Sequence, residues 1–323
     1  MWSIELMTEL QALFAALSAI VLFLYGLQGF SRELRVTGGT ALQNWLASVT
    51  ASRWLGFTVG AVATAIVQSS SAVTALTAAL VDGAVISFRA SLGVLLGSNV
   101  GTTATAWLVS MKLTGVGPAF IVLGACLSAL PWRVGIAGKA IFYFGLIFFA
   151  LDLIGAELRP LREQPAFVAW LELAQAPWLG ILVGMVFTAL IQSSSVTTGV
   201  SILLVQQGTL PAEAAIPIVI GANVGSTSTA LVASLGMGAV ARATATANLL
   251  FNAAGALIFF PFIHAFAGAV VDSAGDPSRA VAWAHLLFNV TIGLVFLVAL
   301  DAIEPRLSRW FLGPMAARSA ARH

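Results

Sequence analysis

The chain has 323 residues, of which 59% are hydrophobic and only 9% are charged, and its mean hydropathy is +0.97. Soluble domains carry roughly 25% charged residues, so this composition excludes a soluble globular protein, a disordered segment and a nucleic-acid-binding protein. The net charge is only +2, and the single cysteine, Cys126, cannot form an intramolecular disulfide bond. The composition predicts an all-α polytopic membrane protein whose solvent is the lipid bilayer.

Five uninterrupted apolar segments predict helices that cross the membrane. The first follows Glu5 and Glu9 rather than a basic start, so we expect a retained helix and not a cleaved signal peptide. Each segment is near the ~20 residues that the hydrocarbon core requires. They lie at about 10–30, 115–130, 139–153, 243–266 and 280–300.

A polar tetrad, Gln-Ser-Ser-Ser, interrupts two further apolar segments at residues 68–71 and 192–195. The arms on either side of the first tetrad hold about 12 and 11 residues, which reach only ~16–18 Å at 1.5 Å per residue. That is about half of the ~30 Å hydrocarbon core. Each segment therefore predicts a re-entrant helical hairpin with its tip near the membrane midplane.

Two other segments contain a glycine-rich polar stretch, Gly-Ser-Asn-Val-Gly-Thr-Thr at 97–103 and Gly-Ala-Asn-Val-Gly-Ser-Thr at 221–227. Each stretch predicts a transmembrane helix that is broken in its middle. Unpaired backbone groups cost several kcal/mol in hydrocarbon, so broken helices persist only where protein, water or a ligand satisfies them. The four interruptions therefore predict one central binding site.

The chemistry of this predicted site suits an anion together with sodium. Half-helix N-termini present free N–H groups and the positive end of the helix dipole, which favour an anion. Backbone carbonyls and the oxygens of Ser, Thr, Asn and Gln suit Na⁺. No Asp, Glu, Lys or Arg lies within the four interruptions, so a bound anion would lack a fixed counter-charge. Cations that bind together with the anion are the simplest source of this counter-charge. We therefore expect Na⁺-coupled transport.

The chain contains an internal duplication. Residues 56–110 align without a gap with residues 180–234 at an offset of 124, with 22 identities in 55 pairs. Both tetrads, both glycine-rich stretches and the pair Thr105/Thr229 fall in register. We expect one membrane domain, with repeat one at about 15–138, repeat two at about 139–263, an extra helix at about 280–300 and a short cytoplasmic tail at 301–323.

The distribution of charge predicts an inverted two-fold repeat. If each hairpin returns to its own side, each repeat crosses the membrane three times, and the whole chain crosses seven times. With the N-terminus outside and the C-terminus in the cytoplasm, 11 of the 15 basic residues fall inside and nine of the 13 acidic residues fall outside. The positive-inside rule favours this orientation.

A second, weaker repeat lies near the end of the chain. Asn248 and Asn252 of the first copy correspond to His285 and Asn289 of the second. We favour a structural interpretation, in which these side chains orient neighbouring helices by hydrogen bonds, over a direct role as ligands.

These motifs resemble those of the type II sodium-dependent phosphate cotransporters. The paired tetrads, the two glycine-rich stretches and the terminal His285, Phe288 and Asn289 carry the resemblance, which covers most of the chain. It implies a symporter that imports inorganic phosphate down a Na⁺ gradient by alternating access, through exchange of the central hairpins by an elevator or rocking motion. It also implies that phosphate is held by Ser69, Ser70, Ser71, Ser193, Ser194 and Ser195. The implied sodium ligands or tip-orienting residues are Gln68, Asn99, Thr102, Thr103, Gln192, Asn223, Ser226 and Thr227.

The resemblance implies a location in the cell inner membrane, with no cofactor other than Na⁺ as the coupling ion. Many bacterial members carry a cytoplasmic regulatory domain that we do not find after the last helix, so a separate regulatory protein acting in trans is one expectation. A homo-oligomer is left open.

Two rival functions remain. A transporter of another oxyanion or small carboxylate would use the same helix-tip site, and a non-transporting membrane scaffold or sensor is an alternative of another class. Enzyme activity is not expected, because no nucleophile–base pair or metal-ligand spacing is present.

Overall fold

The computed structural model describes residues 2–48, 52–113, 115–131, 133–157 and 176–320, together with the single residues 169 and 173. Within these ranges every regular element is a helix and no strand forms, which confirms the all-α prediction. The helices are α1 (Trp2–Ser48), α2 (Arg53–Val67), α3 (Ser70–Asp82), α4 (Phe88–Ser110), α5 (Gly117–Ser128), α6 (Arg133–Glu157), α7 (Pro177–Ile191), α8 (Ser194–Gln206), α9 (Ala212–Ser234), α10 (Ala239–Phe259), α11 (Ile263–Ala274) and α12 (Pro277–Ala320). A 3-10 turn at Phe260–Phe262 joins α10 to α11.

The internal duplication appears directly in the helix bounds. Helices α2, α3 and α4 recur as α7, α8 and α9, and every start and end is shifted by 124 residues. We call α2 with α3 hairpin 1 and α7 with α8 hairpin 2. The residues at which they turn, Gln68–Ser71 and Gln192–Ser195, are called tip 1 and tip 2.

The prediction that α4 and α9 are broken is wrong. Both helices run without interruption through the glycine-rich stretches at 97–103 and 221–227. The glycines there permit close packing instead. A Cβ atom on Gly97 would collide with the carbonyl oxygen of Phe57 in α2, and one on Gly221 would collide with the carbonyl oxygen of Ile181 in α7. Each glycine-rich stretch is therefore the contact that seats the first arm of a hairpin.

Six helices in the described part of the chain are long and apolar enough to cross a membrane. They lie at Phe14–Leu34, Phe88–Ser110, Val134–Glu157, Ala212–Ser234, Ala239–Ala274 and Pro277–Gly313. The seven-crossing prediction also needed a helix at about 115–130, where α5 has only 12 residues, or about 18 Å.

The chain around α5 nevertheless runs along most of α6. At one end the N–H of Gly115 donates to Asp152 at 2.9 Å. At the other end a Cβ atom on Gly135 would lie 2.5 Å from the carbonyl oxygen of Leu130. The stretch 115–130 thus covers the length of α6 between residues 152 and 135, or about 26 Å.

Charged residues pair at both ends of α4. At its start, Arg89 and Arg53 both pair with Asp301 of α12, with 2.8 Å between Arg53 and the carboxylate. Beyond its end, Lys112 pairs with Asp276, which precedes α12. Helices α4 and α12 are therefore antiparallel and linked at both ends.

The Asp276 carboxylate is held ionised by its partners. Burial alone acts to raise its pKa, but hydrogen bonds from Lys112, the Ser278 hydroxyl and the Arg279 N–H hold this pKa well below its ordinary value. The link between α4 and α12 at this end therefore stays charged at neutral pH.

The segment that was predicted to be a short tail is largely helical. Helix α12 continues from residue 301 to Ala320, with one non-helical residue at Gly313 (φ 78°, ψ 169°). The last three residues of the chain lie outside the described residues.

Candidate functional site

A cavity of about 210 Å³ lies between the two hairpin tips. This volume is below the ~300–1,000 Å³ of sites that hold drug-sized molecules, so it suits a small ligand. Helix α1 forms a further wall, and α9 contributes one residue. The lining residues are Leu24, Leu27, Gln28, Ser31, Gln68, Ser69, Ser70, Ser71, Gln192, Ser193, Ser194, Ser195 and Thr229.

Each tetrad builds its tip in the same way. The glutamine ends the first arm in the left-handed conformation, with φ 54° at Gln68 and φ 60° at Gln192. In both tips its N–H donates to a threonine carbonyl at 2.7 Å, Thr64 in tip 1 and Thr188 in tip 2. Non-glycine residues rarely adopt this conformation because it costs about 1–2 kcal/mol. Both glutamines adopt it, and the bond from each glutamine N–H to the carbonyl four residues earlier stabilises the turn.

The serines that follow the glutamine form the start of the second arm. Ser69 and Ser193 are extended and occupy the N-cap positions of α3 and α8, and the next two serines of each tetrad form the first helical turn. First-turn N–H groups have no acceptor within their own helix. Two helix N-termini, each with hydroxyl groups beside it, thus border one cavity, and the positive ends of their dipoles favour an anion there.

The cavity contains no ionisable side chain among its lining residues. An anion that entered it alone would be desolvated without a counter-charge, which is costly. Cations that accompany a multiply charged anion would reduce this cost.

The two tip glutamines are engaged in hydrogen bonds. In tip 1 the Gln68 amide donates to the carbonyl of Ala65 at 2.5 Å, and its oxygen accepts from Thr105 at 2.8 Å. In tip 2 the Gln192 amide donates to the carbonyl of Ala189 and, at 3.1 Å, to the Ser228 hydroxyl. Each glutamine therefore fixes its own tip against the helix that follows the hairpin.

Thr105 and Thr229 are equivalent in the repeat but differ in their partners. Thr105 donates to Gln68 and accepts from the Ser195 hydroxyl at 3.4 Å, so it connects tip 1 with tip 2. The Thr229 hydroxyl is buried and has no partner in the described part of the chain. Thr229 thus leaves a free oxygen beside the cavity.

The structure brings together eight of the fourteen site residues named from the sequence, namely the two tetrads. The other six lie in α4 and α9 away from the cavity lining. Four of them bond to carbonyls of their own helix: Thr102 to Ser98, Thr103 to Val100, Ser226 to Asn223 and Thr227 to Val224.

The remaining two, Asn99 and Asn223, join α4 and α9 to the last helices of the bundle. The Asn99 amide donates to the Asn248 oxygen at 3.4 Å, and the Asn223 oxygen lies 3.2 Å from Nε2 of His285. Asn289 then donates to the carbonyl of His285 at 2.8 Å. The side chains of the weaker repeat therefore contact neighbouring helices. One amide nitrogen of Asn223 and Nδ1 of His285 remain buried without a partner among the described residues.

Three polar lining residues were missed from the sequence. Thr229 carried a signal, because it is paired with Thr105 in the repeat. Gln28 and Ser31 carried none, since the residues 124 positions later are Asp152 and Gly155, which do not line the cavity.

Comparison with known proteins places these features in a family. A family model described as "Na+/Pi-cotransporter" matches residues 22–156 and 163–271. "Uncharacterized protein YqeW" of Bacillus subtilis is 31% identical over 262 residues, which cover 80% of this chain and 85% of that protein. No solved structure matches the chain.

Two relatives with functional names match over smaller parts of their length. "Putative inorganic phosphate export protein YjbB" of Escherichia coli is 30% identical over 254 residues, 78% of this chain and 47% of that protein. "Sodium-dependent phosphate transport protein 2B" of Homo sapiens is 31% identical over 135 residues, 38% of this chain and 20% of that protein. The chain therefore spans about half of the E. coli relative and a fifth of the human one.

In the described part of the chain every regular element is a helix, six helices are candidate membrane spans, and the two tetrad tips border a cavity without ionisable lining residues. The family match agrees with these features. The chain belongs to the Na⁺/Pi-cotransporter family, a family of membrane transporters and not of enzymes.

Proposed function

We propose that the protein is a sodium-coupled symporter that moves inorganic phosphate across the cell inner membrane by alternating access. The observation that carries this proposal is the uncharged cavity between two tips of identical sequence. Serine hydroxyls and helix N-termini are good donors to a phosphate oxygen. Ser69–Ser71 and Ser193–Ser195 hold the phosphate from two sides.

Sodium supplies the positive charge that the protein does not. Hydroxyl and amide oxygens are suitable Na⁺ ligands, and the unpartnered Thr229 hydroxyl lies beside the cavity. Gln68 and Gln192 bring further oxygens, so the first Na⁺ binds in the cavity. Among the six residues in α4 and α9, the hydroxyls of Thr102, Thr103, Ser226 and Thr227 donate hydrogen bonds but keep lone pairs on oxygen, so they can ligate a second Na⁺.

Transport requires that the cavity open to the two sides in turn. The two hairpins have the same helix bounds in the repeat, so an elevator or rocking exchange between them can produce two states of similar free energy. Both tips line one cavity, which allows the same phosphate to be held in either state.

Uptake into proteoliposomes tests this function. We expect labelled phosphate to accumulate when Na⁺ is higher outside than inside, and to stop accumulating when choline replaces Na⁺. Excess sulfate or succinate should leave the uptake nearly unchanged. Phosphate uptake that does not depend on Na⁺ would contradict the proposal. Equal transport of sulfate or succinate would also contradict it and would favour the rival transporter of another anion.

Export is a second candidate for the direction of transport, because the E. coli relative carries that word in its name. A symporter moves phosphate in whichever direction the Na⁺ gradient points. In right-side-out membrane vesicles we expect inward Na⁺ to drive phosphate inward. Efflux of preloaded phosphate against an inward Na⁺ gradient would instead establish an exporter.

We propose that the N-terminus lies outside and the C-terminus in the cytoplasm, with the chain around α5 as the seventh crossing. Ser273 and Ala302 are both exposed and lie on opposite sides of the apolar stretch at about 280–300. In a Cys126→Ala background, an impermeant maleimide added to intact cells should label Ser273→Cys and not Ala302→Cys. The opposite labelling pattern would reverse the orientation.

A further inference from the structure

Helix α1 gives the cavity a third wall that has no counterpart in the repeat. Leu24, Leu27, Gln28 and Ser31 line it, and their spacing places them on one face of the helix. At the equivalent position of α6, Asp152 instead accepts from the N–H of Gly115. The two tips are thus related by duplication, whereas this wall occurs once.

Gln28 is the polar group of this wall that is free to bind a ligand. The Ser31 hydroxyl already donates to the carbonyl of Val67 at 2.7 Å, at the end of the first arm of hairpin 1. The amides of Gln68 and Gln192 are engaged in holding the tips. The Gln28 side chain is exposed to the cavity and, in the part of the chain that the structure describes, has no hydrogen-bond partner.

The amide of glutamine both donates and accepts hydrogen bonds, whereas a backbone N–H only donates. This difference matters for a tetrahedral anion. Near neutral pH inorganic phosphate keeps at least one O–H group, and sulfate keeps none. A site that offers an acceptor to this O–H discriminates between the two anions, because an unprotonated analogue leaves the acceptor facing an anionic oxygen.

We propose that Gln28 is a specificity-determining residue that contacts bound phosphate from α1 and recognises its O–H group. This inference rests on the proposed function, since it names a further residue of the same anion site. The two tips then supply donors from two sides, and Gln28 supplies a donor and an acceptor from the third.

The test compares Gln28→Met with Gln11→Met in proteoliposomes. Methionine keeps the length of the side chain and removes its hydrogen bonds, and Gln11 is an exposed glutamine of the same helix that does not line the cavity. For Gln28→Met we expect the KM for phosphate to rise about tenfold, because one hydrogen bond to a charged ligand is lost. Excess sulfate, which should leave wild-type uptake nearly unchanged, should inhibit phosphate uptake by Gln28→Met, because the acceptor that disfavours an unprotonated anion is gone. Gln11→Met should match the wild type in both.

A second variant covers the possibility that water replaces the missing amide. Gln28→Glu places a carboxylate in the cavity, and we expect it to abolish phosphate uptake while the protein still elutes as a monodisperse peak in size-exclusion chromatography. Retention of the wild-type KM for phosphate by either Gln28 variant would overturn the inference. Phosphate uptake by Gln28→Met that excess sulfate still leaves unchanged would also overturn it, because the discrimination against sulfate would then not come from Gln28.

Failure of the inference can be distinguished from failure of the proposed function. If the wild-type protein shows no Na⁺-driven phosphate uptake, the proposed function is wrong and Gln28 has no such role. If the wild-type protein is active and Gln28→Met behaves like Gln11→Met, only the inference about Gln28 is wrong.

Discussion

Tip 1 and tip 2 have the same sequence and the same backbone turn, but their side chains have different partners. In tip 1 the Ser69 hydroxyl accepts from the N–H of Ala72 at 3.3 Å, as an N-cap does, whereas Ser193 makes no such bond. Tip 1 is also bonded to α1 through Ser31, and no equivalent bond is possible from Gly155. Duplication thus preserved the backbone of the site while the hydrogen bonding of the two tips diverged.

This difference assigns different tasks to the tips. Tip 1 is fixed to its surroundings by Ser31, Thr105 and its own cap. Tip 2 is bonded to Ser228 through Gln192 and to Thr105 through Ser195, but the Ser193 hydroxyl and the nearby Thr229 hydroxyl have no partner in the described part of the chain. We therefore expect the Ser193 and Thr229 hydroxyls to be available to the ligands at tip 2.

The largest effect should come from filling the cavity at either tip. Ser70→Leu and Ser194→Leu each remove a hydroxyl and insert an apolar side chain beside the anion site, so both should reduce Na⁺-driven phosphate uptake by more than about 100-fold. Ser18→Leu, at an exposed position of α1, is the matched control and should retain uptake. A scaffold or sensor would tolerate all three, so normal phosphate uptake by either tip variant would contradict a shared site.

Replacing the packing glycines should affect both halves of the molecule equally. Gly97→Val and Gly221→Val force a side chain into the backbone of α2 or α7, and overpacking of this kind costs about 1–3 kcal/mol or more. We expect both variants to lose most of the correctly folded protein in size-exclusion chromatography. Gly268→Val is the control, because no atom lies within 4 Å of a Cβ at that position. A wild-type yield of folded Gly221→Val would show that α7 does not pack against α9 as closely as α2 packs against α4.

Substitutions of the equivalent threonines should distinguish a structural role from a role in ligand binding. Thr105→Val removes the bonds to Gln68 and Ser195, so we expect a lower melting temperature and about tenfold weaker phosphate uptake. Thr229→Val removes a hydroxyl that has no partner in the described part of the protein, so its melting temperature without ligand should not fall. Its half-saturating Na⁺ concentration should rise several-fold if the hydroxyl is a Na⁺ ligand. An unchanged Na⁺ dependence in Thr229→Val would remove Thr229 from the cation site.

The smallest effect should distinguish the two N-cap serines. Ser69→Ala loses a cap worth about 0.5–2 kcal/mol, so the melting temperature should fall by a few degrees. Ser193→Ala loses no cap bond, so its melting temperature should stay the same while its KM for phosphate rises a few-fold. An equal fall in melting temperature for the two variants would show that the Ser193 hydroxyl also caps its helix. The two tips would then not differ in their N-caps.

The tips themselves could be predicted from the sequence because each is encoded locally. A polar tetrad that interrupts an apolar segment, with an arm of about 12 residues before it and about 11 after it, indicates a turn between two short arms. The offset of 124 then indicated that the same turn occurs twice. The contacts that Asn248 and His285 make with neighbouring helices agree with the structural interpretation of the weaker repeat, whereas their partners Asn99 and Asn223 had been assigned to the sodium site.

The errors arose where a residue type has two physical uses. Gly97 and Gly221 were interpreted as helix breaks because glycine is a poor helix former, but in the folded protein they allow two backbones to approach. The role of α1 could not be predicted, since Gln28 and Ser31 lie before the aligned segment 56–110, differ from the residues 124 positions later, and appear as ordinary polar residues in an apolar helix. Their importance follows only from the three-dimensional position of α1 beside the tips.

The central claim is that the uncharged cavity binds phosphate only when Na⁺ supplies the missing charge. Equilibrium binding of labelled phosphate to the purified protein, in sodium chloride and in choline chloride at equal ionic strength, tests it most directly. We predict saturable phosphate binding in sodium chloride and none above background in choline chloride. Equal phosphate affinity in the two salts would contradict the claim.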